Sequence, residues 1–356
     1  MNNRIVQGAI GLTLAALLGA ALAGCSSDNN ELPSPSVSSS SQAVASSPTA
    51  SATASASATA DSTPTPAVES PGLPLAPGQE VLDAFQDMIA SGAAAAELNA
   101  QLDADLPKTA PETADELIRE LLGYYNDHVQ DTLLELQQGD LEQFLELWPF
   151  TEDEIPKLQN ERIRQAAQEA FDGGYKLETS EGMIFTVVDY GKLKRFNDAL
   201  SPAMRDYIAL LALESDQKPA SDAALVISWE ETGNRALAAE KFIRDYPDSK
   251  EKDDAGRYYL RYMSYLLTGL SNTPIWDDSL QLKADVKTEY EKLAAEQPDT
   301  LTGSMVQSFL DIMAETNDRM FKTGPGGETD IPEVKAFWDG MESRILEELG
   351  IANPNK

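Results

Sequence analysis

The stretch Glu240-Lys241-Phe242-Ile243-Arg244-Asp245-Tyr246-Pro247-Asp248-Ser249 reads as the end of one helix and the start of the next. Pro247 lacks the backbone N–H that a continuing helix needs, and Asp248-Ser249 offers side-chain oxygens for capping the helix that follows. Fifty-one residues on, Glu291-Lys292-Leu293 runs to Pro298-Asp299-Thr300 in the same order. Downstream apolar positions correspond too: Ala255 with Val306, Tyr258 with Phe309, and Tyr262 with Met313. Each copy is therefore a helix, a stop, a cap and a second amphipathic helix. This part of the chain is helix stacked on helix.

Outward from here, helical spacing persists. Val81, Leu82, Phe85, Met88 and Ile89 form one apolar stripe closed by Ser91-Gly92. A long helix is expected over residues 112–138, with Thr113 and Glu116 as a capping box. Its buried face would be Leu117, Leu121, Tyr125, Val129 and Leu136. Asp140 is placed to cap a short helix holding Phe144 and Trp148, and the next helix covers residues 156–171, stopped by Gly173-Gly174. Ser201 and Pro202 open a helix carrying Met204, Tyr207, Ile208 and Leu211. Val334, Phe337, Trp338, Met341, Ile345 and Leu349 mark the last one, between Pro332 and Gly350. Residues 175–179 and 183–188 flank Ser180-Glu181-Gly182 as a β-hairpin, which needs helices to pack on. The expected fold class is mainly α: a helical bundle or stacked helical hairpins with one small β-hairpin, preceded by a disordered tether.

The first copy of the tandem resembles the tetratricopeptide-type units of envelope lipoproteins. Ala239, Phe242, Tyr246, Pro247 and Ser249 fall on that pattern. The spacing of 51 residues departs from the family's period, and the W-x₂-L-G-x₂-Y signature is missing. The same residues also suit a generic helical hairpin that reuses good stop and cap residues.

The N-terminus reads as an address. Arg4 precedes an uncharged apolar run, Ala9 to Ala23, of signal-peptide length and too short for a transmembrane helix. It ends in Leu22-Ala23-Gly24-Cys25, which resembles the lipobox of bacterial lipoproteins position for position. The resemblance implies that residues 1–24 are a signal peptide, and that Cys25 becomes an acylated N-terminus holding the chain to the lipid bilayer. Two acyl chains, at about 0.8 kcal/mol per buried CH₂, anchor stably. The expected location is extracytoplasmic, on the outer face of the cell membrane. Residues 25–78 are rich in Ser, Ala, Thr and Pro and too poor in large apolar groups to offset ordering entropy. As a flexible chain this tether would span roughly 40 Å, and about 160 Å in polyproline II. Residues 79–356 form the acidic helical domain.

Composition bounds the chemistry. The 356 residues hold 27 Lys+Arg against 59 Asp+Glu, a net charge of −32, with one Cys and one His. One thiol and one imidazole exclude an internal disulfide, a Cys/His zinc site, an iron–sulfur centre and an HExxH metallopeptidase. The acidity repels phosphate backbones, so nucleic acid is not an expected partner. No metal or cofactor is expected, since the acidic runs Glu152-Asp153-Glu154, Asp277-Asp278 and Glu347-Glu348 lack calcium-loop spacing.

Catalytic candidates are sparse. Ser249-x-x-Lys252 and Lys322-Thr323-Gly324 resemble two signatures of penicillin-binding enzymes, but the third element is missing between them. His128 falls on the apolar side of the long helix near Tyr125 and Val129, where a buried, hydrogen-bonded imidazole is the simplest reading. Tyr258, Tyr262 and Tyr265 line one helical face with Arg257 and Arg261 alongside, either a strip packed against the neighbouring helix with its hydroxyls at the rim or a candidate surface for stacking sugars or gripping a peptide. The expectation is a non-catalytic helical module binding an envelope protein or wall glycan. The alternatives are a transporter's solute-binding lipoprotein, built from two α/β lobes, and a wall-active hydrolase.

Overall fold

Eleven α-helices and three two-stranded antiparallel sheets make up residues 78–353, apart from 138–140 and 181, in a computed structural model of the chain. Cys25, the tether and the capping role of Asp140 lie outside the described residues.

The N-terminal half is built around one long helix. α1 (Gln79–Ala90) and α2 (Ala95–Asp105) pack on α3 (Pro111–Gln137), as do α5 (Glu161–Asp172) and the second strand of the hairpin β1 (Tyr175–Ser180)–β2 (Met183–Val188). The short α4 (Leu141–Glu146) precedes α5. Leu117, Leu121 and Tyr125 are fully buried along α3, as their spacing requires, while Val129 is half-buried. The Thr113–Glu116 capping box does not form, because the helix already starts at Pro111 and Glu116 pairs with Arg119 and Lys250 instead. α5 also starts later than its apolar pattern indicates. Pro156 closes a 3₁₀ turn, and Asn160 caps the helix through the backbone N–H groups of Arg162 and Ile163. The β1–β2 register pairs Tyr175 with Val188 and Ser180 with Met183.

Burial of Tyr125 fixes the route of the chain from α5 into β1. Its hydroxyl donates to the Gly173 carbonyl at 2.9 Å, and Asn99 Nδ2 donates to the same oxygen at 3.1 Å. Gly174, at φ +83°, passes so close that a Cβ there would sit 2.4 Å from the Tyr125 oxygen. Only glycine meets both demands.

A 3₁₀ segment, Tyr190–Ala199, leads into α6 (Pro202–Asp216), whose first turn is capped by Ser201 through Met204 N–H. α6 packs on α7 (Trp229–Asp245), reached through a two-residue hairpin of β3 (Ala220–Ser221) and β4 (Ala224–Leu225). α7 and α8 (Lys252–Thr268) form one helical hairpin, and α9 (Ala284–Glu296) and α10 (Leu301–Thr316) form the second. α7 touches both α9 and α10, so the hairpins stack, and α11 (Pro332–Leu349) lies across α7, α8 and α10. The tandem motif thus builds two stacked units. A third hairpin, β5 (Phe321–Gly324)–β6 (Gly327–Asp330), projects before α11. Its polar residues are exposed, and Phe321 anchors its base against Trp276 and Trp338.

The fold is mainly α, as the periodicity requires, with three small hairpins where the sequence marks one clearly. The two unmarked ones have strands of two and four residues, too short for a period-two pattern. The described residues do not form the two α/β lobes of a solute-binding protein.

Candidate functional site

The tyrosine strip on α8 faces inward. Tyr262 is fully buried, and Tyr258 and Tyr265 are half-buried. The Tyr262 hydroxyl donates to Glu214 of α6 at 2.9 Å, and Arg261 Nη1 reaches both oxygens of that carboxylate at 2.8 and 2.7 Å. The Arg261 guanidinium lies 5.2 Å from the Tyr258 ring centroid. Arg257 is exposed and paired with Asp254 one turn earlier. Of the five residues in the strip, Tyr262 and Arg261 are therefore committed to an internal network.

That network extends to Arg235 of α7, which is only 2% exposed. Its Nε donates to Glu231 at 2.7 Å and its Nη1 to the Gln217 carbonyl at 2.9 Å, with the Tyr262 hydroxyl 3.4 Å away. Burial, reinforced by Glu214, pushes the Tyr258 and Tyr262 hydroxyls far up in pKa, so both stay protonated donors. Burial works against the charge of Arg261, and Glu214 outweighs it, holding the guanidinium more firmly protonated than usual. Fully satisfied charges at a helix crossing rigidify it. Glu214 and Arg235 escape a sequence reading because neither lies in a motif. The only local hint is the four-residue spacing of Glu231 and Arg235.

A shallow, solvent-facing groove lies elsewhere, between α7 and α9, with room for about one water molecule. Its apolar lining is Trp229, Leu266, Tyr290 and Leu293. Tyr290 is fully buried, its hydroxyl donating to the Leu266 carbonyl. Glu230, Glu289 and Glu296 line the groove as well, and Lys292 reaches across it to Glu230 at 2.5 Å. The first helix of each stacked hairpin supplies a wall. The sequence hides this groove because its residues lie some sixty positions apart and meet only through the stacking.

The remaining candidates take structural positions. His128 is half-buried at the edge of α3, stacked on the Tyr124 ring at 4.0 Å, and its Nδ1 donates to the Tyr124 carbonyl at 2.8 Å. Ser249 does not cap α8, which starts at Lys252. Its oxygen accepts from Glu251 N–H at 3.3 Å, ahead of the helix, and its hydroxyl donates at 2.5 Å to the Glu251 carboxylate, which Arg119 of α3 holds. Lys322 stands on the exposed strand β5. Thr151 and Glu154 form a capping box, and Asp277 Oδ1 accepts from Ser279 N–H and its hydroxyl at 2.8 and 2.6 Å. Among the described residues, no three His, Cys, Asp or Glu side chains converge on a point where a metal ion could sit, and no helix is long and apolar enough to cross a membrane. No protein-family model, curated protein or solved structure matches the chain.

Proposed function

We propose that this chain is a lipid-anchored protein of a bacterial cell surface whose helical body binds another envelope component in the α7–α9 groove. The lipobox-like Leu22-Ala23-Gly24-Cys25 supports the anchor, and the long Ser/Thr/Pro-rich segment after it supports display away from the bilayer. The groove itself carries the binding part of the reading. It is shallow, and it sets the half-buried Trp229 and Leu293 among charged groups at the junction of two stacked helical hairpins. Stacked helices present such surfaces without any catalytic group.

The test is in-cell photo-crosslinking from Asn234, an exposed residue of the groove, followed by mass spectrometry of the adducts. A recurrent envelope component recovered from Asn234, and not from a probe at Glu347 on α11, is the expected result. Recovery of no specific adduct would remove the binding reading. Cys25→Ala should release the chain from the membrane fraction, and retention there would remove the anchor.

A further inference from the structure

Four elements meet around Glu214 of α6. Lys218, just past that helix, donates from Nζ to the Thr179 carbonyl of β1 at 2.6 Å, which sets Glu178 beside the helix end. Gly191 runs so close to the same end that a Cβ would lie 2.4 Å from Asp216 Oδ1, which sets Tyr190 there too. From α8, Arg261 grips Glu214 and carries the Tyr258 ring with it. The Tyr265 ring stands edge to face with that of Tyr262, 6.2 Å between centroids. Burial, with Glu214 adding to it, raises the pKa of Glu178, Tyr190, Tyr258 and Tyr265, so their polar ends gather around one carboxylate.

Glu214 is fully engaged by Arg261 and Tyr262, but the groups around it are not. Among the described residues, none hydrogen-bonds the hydroxyls of Tyr190, Tyr258 or Tyr265, or the carboxylate of Glu178. All four residues are half-buried and their oxygens are not sealed from solvent. The phenols stay protonated, Tyr190 with its pKa at about 12, so each can both donate and accept. Fixed charges nearby are already answered within the protein, Glu214 by Arg261 and Glu178 by Lys176 and Lys218. What stays open is therefore neutral: three aromatic rings with hydroxyls at their edges. Such a surface suits the apolar ring faces and the many hydroxyls of a sugar, and offers a charged ligand no unanswered charge. We infer that this junction binds a neutral oligosaccharide across the Tyr190, Tyr258 and Tyr265 rings, with sugar hydroxyls bonded to their oxygens and to Glu178. The site shares no residue with the α7–α9 groove, so it stands or falls separately from the reading above.

The direct test uses the full acylated protein in phosphatidylcholine nanodiscs, with empty nanodiscs as background. Calorimetric titrations are made with the tetrasaccharides of cellulose, of amylose and of N-acetylated chitin. Saturable binding of at least one is expected, with none for the anionic tetramer of galacturonic acid or the cationic tetramer of deacetylated chitin. Tyr190→Phe with Tyr258→Phe and Tyr265→Phe removes only hydroxyls that no protein group bonds. The triple variant should keep its Tm within about 2 °C while Kd rises at least about tenfold. Glu178→Ala, on a separate element, reads the same site a second way and should raise Kd about fivefold. Tyr124→Phe, whose hydroxyl already donates to the Ala93 carbonyl at 3.2 Å, should leave Kd within about twofold. Binding undiminished in both the triple variant and Glu178→Ala, tighter binding of either charged tetramer, or no saturable binding of any neutral tetrasaccharide would each overturn the inference.

Discussion

Two glycines show how tertiary contact decides what one residue does. Gly123 sits exposed inside α3, and nothing lies within 4 Å of where its Cβ would be. Gly123→Ala should stabilise the protein by about 0.5–1 kcal/mol, because the unfolded chain loses freedom and the helix gains a better former. Gly303 lies in the first turn of α10, where a Cβ would meet the Gln297 carbonyl oxygen at an impossible distance. Gly303→Ala should cost on the order of 2 kcal/mol or more, since the packing of the helix against its own entry loop would have to change. Urea midpoints at constant m-value check both signs. Both glycines occupy helices, so sequence alone ranks them alike. The difference comes from what the chain brings beside each.

At the scale of elements, two buried carboxylates fasten helices together. Glu240 of α7 accepts from Leu301 N–H at 2.6 Å, Thr302 N–H at 2.9 Å and the Thr302 hydroxyl at 2.8 Å, so it serves as a second cap for α10. Its counterpart in the second copy, Glu291, is exposed and makes no such bond. Glu240→Ala strands two buried N–H groups and should cost about 3 kcal/mol, against less than about 0.5 kcal/mol for Glu291→Ala, measured by chemical denaturation. Glu251, 5% exposed, ties the start of α8 to Arg119 of α3. Burial by itself would raise its pKa, but the bonds and charge of Arg119, aided by Ser249, hold it below the ordinary glutamate value. A depressed carboxylate contributes stability that is complete above its unfolded pKa, near 4.5, and is lost as pH falls through the lowered folded value. Stability should therefore drop more steeply below pH 4.5 in the wild type than in Arg119→Met, which is less stable at neutral pH by roughly 3 kcal/mol. Parallel pH curves for the two proteins would refute this role.

For the whole molecule, net charge dominates. The body, residues 79–356, carries 55 acids against 26 bases, a charge of −29, and repels itself, a repulsion that salt screens over a Debye length of about 10 Å at 0.1 M. The Tm should rise by a few degrees between about 20 mM and about 300 mM sodium chloride, because loss of the exposed ion pairs costs little by comparison. A Tm that falls with salt in calorimetry would mean that pairs such as Arg119–Glu251 and Arg261–Glu214 outweigh the general repulsion.

Sequence by itself determined the helical class, because apolar spacing along α1, α3, α6 and α11 records which face of each helix is buried. It also located the Pro-Asp-Ser/Thr joints that divide α7 from α8 and α9 from α10. Periodicity reports that a side chain is buried, but not what it meets. Spacing leaves open whether Tyr262 packs on a neighbouring helix or faces a ligand, and contacts with Glu214 and Arg235, residues 48 and 27 positions away, enclose it. Ser249 has the chemistry of a cap, yet it accepts only from Glu251 N–H ahead of α8 and turns its hydroxyl to the Glu251 carboxylate. The α7–α9 groove exists only because two helical hairpins stack, bringing Trp229 and Leu293 to one cleft. Local spacing is written along the chain, whereas enclosure and grooves arise from contacts between distant segments, and only the tertiary structure sets those.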